Sequence, residues 1–308
     1  MPDVSDDVAR LREESRRVVR ELGFLRPTFA ATGATHSQAH ALLELKRAGS
    51  LTGAHLAERL RQDPSTASRT IAQLLARRWA RAASDGGDRR RKPLTLTARG
   101  RAQLARVDAA ANRQVSAALD LLTRDERESV LRGMRLYADA LLRARRRSEL
   151  TIRGIRRADD AALGRIIRQV LTEFGAVGEG YAIVDPEISR MSAAYRAPRA
   201  AYFVIARAGE ILGGGGVGPL RGGDADTCEL RKMYFLPELR GLGMGRLLLD
   251  RCLAAASRLG YRRCYLETLE RMTTARAMYE SAGFRKLTAP MGDTGHHRCD
   301  AWYLKGLP

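Results

Sequence analysis

From residue 240 to 246 the chain reads Arg-Gly-Leu-Gly-Met-Gly-Arg, and this alternation restricts the region to a strand, a turn and a helix. Cys228 to Phe235, just before it, has the mixed polarity of a strand. The residues after it run to Leu259 with Leu248, Leu249, Cys252, Leu253, Ala256 and Leu259 on one helical face, and Gly260 stops them. Glycine lets a backbone approach a ligand closely and turn its N–H groups inward. At the start of a helix those groups and the helix dipole favour an anion, and a pyrophosphate fits. The Gly-Lys-Ser/Thr ending of a nucleotide-hydrolase phosphate loop is absent. A dinucleotide fold places its glycines early in a βαβ unit, with an acidic residue about 20 positions on. Glu267 stands at a loosely similar distance, so the glycines alone leave that alternative open.

The rest of the second half alternates strand-like and helical runs. Leu150 to Arg156 reads as a strand, and Asp159-Asp160 start a helix that reaches about Phe174. Ala201 to Ala206 is a strand with Ile211 to Val217 as its partner, although the four glycines 213–216 weaken it. Arg263 to Thr268 is a further strand, and Thr273 to Ala282 a helix stopped by Gly283.

The first half has a different rhythm. Residues 4–22 have a helical period carried by Val8, Leu11, Val18, Val19 and Leu22, and Ser37 to Ala48 follow with Ala41, Leu42 and Leu45, stopped by Gly49. Thr52 caps a short helix through Leu60. After the turn Arg61-Gln62-Asp63, the pair Asp63-Pro64 starts a helix to about Arg78. Ile71, Leu74 and Leu75 are expected to pack inward. Ser65, Thr66, Ser68, Arg69 and Gln73 face out, the short polar set that a helix needs to approach base edges in a major groove. Trp79 to Ala83 and Leu94 to Thr97 can pair across a tip holding Arg89, Arg90, Arg91 and Lys92, cations placed to reach phosphates or a minor groove. Two long helices follow, from about Ala98 to Leu122 and from Arg124 to Arg146.

Charge agrees with this division. Of the net charge of +19, residues 1–150 carry +12 from 30 basic and 18 acidic side chains, which points to a polyanionic partner for that half. Only five of the 54 cations are lysine, a bias that genome composition can also produce. The four cysteines, Cys228, Cys252, Cys264 and Cys299, form no CxxC pair, and they are expected to be free thiols with no metal site. The charged N-terminus and the lack of any apolar run of membrane-spanning length lead to an expected cytoplasmic location, with no membrane partner.

Two resemblances rest on these residues. The order of elements in the first half, with Asp88-Arg89-Arg90 before Leu94-Thr95-Leu96-Thr97 and Gly100, resembles a MarR-type winged-helix repressor over about residues 5–145. It departs from that family at Arg78-Trp79, where a Gly-Leu helix ending is usual. In the second half, Arg240-x-x-Gly243-x-Gly245 after Met233-Tyr234-Phe235-x-Pro237, followed by Ala277-Met278-Tyr279-Glu280-Ser281-Ala282-Gly283-Phe284, resembles the GNAT acetyltransferase superfamily over about residues 150–306. The fold expected is therefore multidomain. A mostly-α winged helix-turn-helix domain at 1–147 precedes an α+β GNAT acyltransferase domain with a central mixed sheet at 148–308.

The first resemblance implies a homodimer on double-stranded DNA, with 64–78 as recognition helix, Arg90 as the wing arginine, and Leu119, Leu122, Val130, Leu131, Met134, Tyr137, Leu141 and Leu142 available for the dimer interface. The second implies acetyl-CoA as donor, held by Met233, Tyr234, Phe235, Arg240, Gly241, Leu242, Gly243, Met244, Gly245 and Arg246. It also implies Tyr279 as general acid, set near the sulfur by a position at the start of its helix. Met272 stands where many members of that family have asparagine. Glu229 is the candidate base, acting through water, unless Arg231 or Arg263 takes it into a structural ion pair; Glu267 is a weaker candidate. Thr294 to Asp300, with His296 and His297, is placed at the acceptor pocket on the expectation that the last strands line it. The function expected is a transcriptional regulator joined to an N-acetyltransferase for a small amine or amino acid. The alternatives are a regulator that senses acyl-CoA without turnover, and a protein-lysine acetyltransferase localised to DNA.

Overall fold

The computed structural model describes residues 4–83 and 92–308. The chain divides into two compact units, Met1–Arg132 and Gly133–Pro308. The division falls inside one long helix, Arg124–Ser148, whereas the sequence places the junction at that helix's end.

The first unit opens with α1 (Val4–Glu21), α2 (His36–Ala48), α3 (Gly53–Leu60) and α4 (Pro64–Ala76). Their ends are set by side chains. Thr35 and Gln38 form a reciprocal capping box on α2, and Thr52 accepts from the His55 N–H to start α3. Asp63 accepts from the Ser65 and Thr66 N–H groups, with Pro64 fixing the first turn of α4. Leu42, Leu45, Leu56, Leu74 and Trp79 form the buried centre. Leu75, expected to pack inward, is instead 37% exposed, because the buried stripe of α4 follows Ala67, Thr70 and Leu74 and leaves Leu75 a quarter-turn off it.

The path out of α4 accounts for the unusual Arg78-Trp79. Arg78 has φ +56, the left-handed position that a glycine would fill, and this turns Trp79 into the core. β1 (Ala80–Ala82) then pairs antiparallel with β2 (Leu94–Leu96), with Leu51 bridged to Leu94. α5 (Ala98–Leu119) is capped by Thr97, which accepts from the Gly100 N–H at 3.0 Å and donates to the Arg78 carbonyl at 2.7 Å. A Cβ on Gly100 would lie 1.8 Å from the Trp79 carbonyl oxygen, so no other residue fits. α6 (Arg124–Ser148) buries none of its residues; Val130, Leu131, Met134, Leu136 and Leu141 are 45–59% exposed. Val8, Leu11, Val18 and Val19 of α1 are also exposed.

The second unit is a seven-stranded sheet. Its members are β3 (Leu150–Gly154), β4 (Ala201–Arg207), β5 (Glu210–Pro219), β6 (Thr227–Phe235), β7 (Arg263–Thr268), β8 (Arg285–Leu287) and β9 (Ala301–Gly306), in the order β3-β4-β5-β6-β7-β9-β8. Only β6 and β7 run parallel. Each face has its own core. Alternate residues of β4 (Tyr202, Val204, Ala206) meet α7 (Asp160–Glu173) and α8 (Met191–Ala194), while Ile205 meets α9 (Met244–Arg258) and α10 (Thr273–Ser281). The glycines of β5 do not shorten the strand. A Cβ at Gly216 would sit 2.5 Å from both the Ala201 carbonyl and the Tyr202 ring, so absent side chains make room for the neighbouring strand.

Candidate functional site

β6 and β7 pair only from Thr227 to Glu229 against Arg263 to Tyr265, and beyond that point they part. A bulge contributes to the parting: Tyr234 faces Gly214 and Arg231 faces Gly216, so Lys232 and Met233 together oppose the single Gly215. The opening holds a cavity of about 70 Å³ lined by Glu229 to Tyr234, Leu266 to Leu269, Tyr279, His296 and Cys299, among others. Widely separated parts of the sequence thus meet at one point.

The glycine loop lies at the C-terminal end of β6. A 3-10 turn, Pro237–Leu239, leads into Gly241 and Gly243, both at φ +74, and Gly243 precedes the first turn of α9. No side chain caps that turn, which leaves its N–H groups for an outside acceptor. Arg240 does not offer a free guanidinium: both of its Nη atoms bind Glu173, one at 2.6 Å to Oε2, and it also donates to the Phe235 carbonyl. Arg246 is held by Asp250 and the Ser281 carbonyl. These two side chains brace the loop that carries the expected cofactor contacts. Met244 is buried in the core, and the Phe235 ring packs over Gly213 and Gly245 on the α9 side, so these residues can offer only backbone. Met233 and Tyr234 line the cavity, and Leu242 is partly buried against the α9-side core.

Tyr279 lines the cavity from the last turn of α10, not from the helix start, because the helix begins six residues earlier at Thr273. Its ring sits edge-on to Phe284 at 5.9 Å, and burial raises its pKa well above the usual phenol value. It therefore keeps its proton at neutral pH. Glu229 is buried, and of the two ion pairs weighed for it the one with Arg231 forms, at 2.7 Å; Arg263 binds Asp224 instead. Burial still raises the Glu229 pKa, against the pull of Arg231 and Lys232, which favours a carboxylate able to accept a proton.

The segment from Thr294 to Asp300 is coil, and β9 begins only at Ala301. It separates the two histidines. His296 enters the cavity, with Nε2 3.0 Å from Asp185 and Nδ1 3.4 Å from Glu267; His297 is exposed and lies against Gly180, outside the lining. Glu267 also accepts from Tyr265 at 2.8 Å and Thr294 at 2.9 Å. Lys232, buried in the bulge, pairs with Asp185 and with Glu187 at 3.2 Å. The donor atoms of Glu229, Glu267 and His296 lie within 4.8 Å of one another, each engaged by a protein partner. Asp185, Glu187 and Lys232 were not singled out from the sequence: residues 182–189 form irregular 3-10 turns without a period to read, and a lone lysine in a strand normally faces solvent. Cys299 also lines the cavity, where burial pushes its thiol up to about 12.

A pH effect follows from His296. Burial lowers its pKa, but hydrogen bonds to Asp185 and Glu267 outweigh this and bring it to about 9. The folded value lies above the unfolded value of about 6.5, so the stabilisation is complete below that pH and is lost as pH rises through 9. The second unit should lose up to about 3 kcal/mol between those limits. Thermal melts from pH 6 to 10 should show the loss in the wild type and a flatter profile in His296→Gln; parallel profiles would refute it.

On α4, Ser65, Ser68 and Arg69 are exposed and Thr66 partly so. The Ser65 hydroxyl donates to Asp63 at 2.6 Å and Arg69 to Thr66 at 3.2 Å, while Gln73, also exposed, accepts from Gln38 at 2.7 Å. Arg89, Arg90 and Arg91 lie outside the described residues.

The second unit thus holds a parted strand pair, an uncapped glycine turn and a proton-bearing phenol, and the chain's curated relatives are N-acetyltransferases. Residues 171–284 match the acetyltransferase (GNAT) family and residues 32–91 the MarR family. The chain is 41% identical over 150 residues to the uncharacterised N-acetyltransferase YjgM of Escherichia coli strain K12, covering 48% of this chain and 90% of that protein. It is 33% identical to an uncharacterised N-acetyltransferase of Schizosaccharomyces pombe, over 41% of this chain and 75% of that one. Among solved structures, a GNAT acetyltransferase from Staphylococcus aureus Mu50 matches 52% of this chain and 99% of its own length, at 19% identity and a TM-score of 0.46. The acetyltransferase yncA of Salmonella typhimurium, solved with acetyl-CoA, matches 52% and 95% at 25% identity and a TM-score of 0.43. The chain belongs to the GNAT acetyltransferase family, and it carries a MarR-type region ahead of the acetyltransferase fold. Among the described residues no helix is long and apolar enough to cross a membrane.

Proposed function

We propose that residues 148–308 transfer an acetyl group from acetyl-CoA to the primary amine of a small molecule or amino acid, and that residues 1–147 bind double-stranded DNA as a homodimer. The observation that carries the first part is the meeting of Glu229 and Tyr279 at one cavity, in the gap between β6 and β7. The uncapped N–H groups of α9 and the open side of Gly241 fit the pyrophosphate of the donor. Glu229, through water, takes a proton from the ammonium of the acceptor. The free amine attacks the thioester carbonyl, and a backbone N–H near Met233–Phe235 stabilises the oxygen as charge develops on it. The C–S bond then breaks, Tyr279 gives its proton to the departing thiolate, and the proton that the nitrogen sheds on becoming an amide restores the phenol. Glu267 and His296 stand beside the acceptor's place.

Release of free thiol from acetyl-CoA across a panel of amines tests the reading. Turnover with at least one amine is expected. Binding of acetyl-CoA without turnover on any of them would favour a sensor instead. The bracing of the loop gives a smaller prediction: Glu173→Gln should weaken acetyl-CoA binding about threefold, the scale of a half-exposed ion pair, with kcat unchanged. Calorimetric titration checks it, and an altered kcat would show that the Arg240 brace reaches the chemistry.

The DNA-binding part is supported by the MarR match, the exposed polar face of α4 and the excess of cations in residues 1–150. The unburied apolar residues of α6 and α1 support the dimer. A gel-shift selection should recover a roughly palindromic site, and a monomeric mass in solution would contradict the dimer.

A further inference from the structure

Lys232 breaks two ordinary rules. Its φ is +51 in the middle of β6, and its ammonium-bearing side chain is only 2% exposed. It occupies the first of two bulge positions opposite Gly215, where a left-handed residue is ordinarily glycine. A lysine there strains the backbone, and such strain persists only where the surroundings hold it.

The surroundings hold it at both ends. The Lys232 carbonyl accepts a hydrogen bond from the Tyr202 hydroxyl at 2.8 Å. The Lys232 ammonium pairs with Asp185 and Glu187, which come from the 3-10 turns outside the sheet. Asp185 is fixed in turn by His296, and His296 by Glu267. The chain of contacts ties the 182–189 segment, β6, β7 and the 294–300 coil around one peptide. That peptide joins Lys232 to Met233, and Met233 lines the cavity. The extra residue of a bulge stays outside the ladder's hydrogen bonds, and its N–H direction is set by the dihedral angles of the residue before it.

We propose that Lys232 is a positioning residue for the acetyl group: its ion pairs with Asp185 and Glu187 hold the bulge left-handed, so that the Met233 N–H is aimed at the thioester carbonyl. The inference rests on acetyl-CoA being the donor, as proposed above. The pairs act on geometry, so the backbone conformation matters more than the charge. Glycine adopts positive φ without help. Lys232→Gly should therefore keep what Lys232→Met loses, although both remove the ammonium.

The experiment compares acetyl-CoA with CoA, which differ only in the acetyl group, by calorimetric titration of the full-length protein. The wild type should prefer acetyl-CoA by about tenfold, the scale of one well-aimed hydrogen bond. Lys232→Met and Asp185→Asn should lose that preference with CoA affinity unchanged, and Lys232→Gly should keep most of it. Asp185→Asn acts from outside the sheet, so the test survives if Lys232→Met does not fold. An undiminished preference in Lys232→Met or in Asp185→Asn would overturn the inference and leave the donor reading standing. Equal loss in Lys232→Gly and Lys232→Met would overturn it in favour of a direct electrostatic role. Failure of the wild type to bind either ligand would remove the donor reading and the inference with it.

Discussion

Tyr279→Phe is expected to lower kcat by about a hundredfold or more while leaving acetyl-CoA affinity unchanged. The phenol lines the cavity and is buried, with its pKa raised so that it remains a proton carrier. Removing only the hydroxyl leaves the ring in its contacts with Phe284 and Tyr303, so the fold should be undisturbed. Loss confined to kcat is the signature of an interaction made only as the thiolate departs. A donor with a more acidic thiol should restore part of the rate, because such a leaving group needs less protonation. Steady-state kinetics with one accepted amine would decide it. An unchanged kcat would assign Tyr279 to the core alone.

The second large effect concerns stability. Gly100→Ala places a methyl group 1.8 Å from the Trp79 carbonyl, where both partners are backbone and neither can rotate away. Either α5 shifts and the Thr97 cap is lost, or β1 moves and takes Trp79 out of the core. The cost should exceed about 4 kcal/mol, the range reserved for severe disruption. Urea titration followed by Trp79 fluorescence in a Trp302→Phe background reports on the first unit. A midpoint like the parent's would mean that the close approach relaxes. The DNA binding proposed for the first unit should fail in this variant, because α4 and the strand pair share the core that Trp79 fills.

Much of the architecture could be read from the chain because local signals and tertiary demands coincide. Thr52, Asp63-Pro64, Gly49 and Gly260 mark helix ends that are found within a residue or two of their expected places. The glycine turn was legible because local backbone geometry sets it; Tyr279 was singled out by resemblance, and its place in the last turn of its helix was not read. Three features were not, each because a distant contact decides it. The glycines of β5 read as a weak strand, yet the neighbouring Tyr202 ring requires two of them, Gly214 and Gly216. Arg240 and Arg246 read only as parts of the cofactor loop, and their bracing by Glu173 and by the Ser281 carbonyl gave no local signal. Asp185 and Glu187 gave no signal, because irregular turns have no period and their partner lies 45 or more residues away. His297 shared its neighbour's composition but not its direction.

Cys299 has a consequence for chemical selectivity. The cavity that would receive a thioester also contains this thiol, and thiols are better intrinsic nucleophiles toward thioesters than amines are. Only the thiolate reacts, and with its pKa pushed up to about 12 the ionised fraction near neutral pH is on the order of one in a hundred thousand. Burial thus quiets this thiol, so that an acyl group brought there is not drained onto Cys299 before its acceptor arrives.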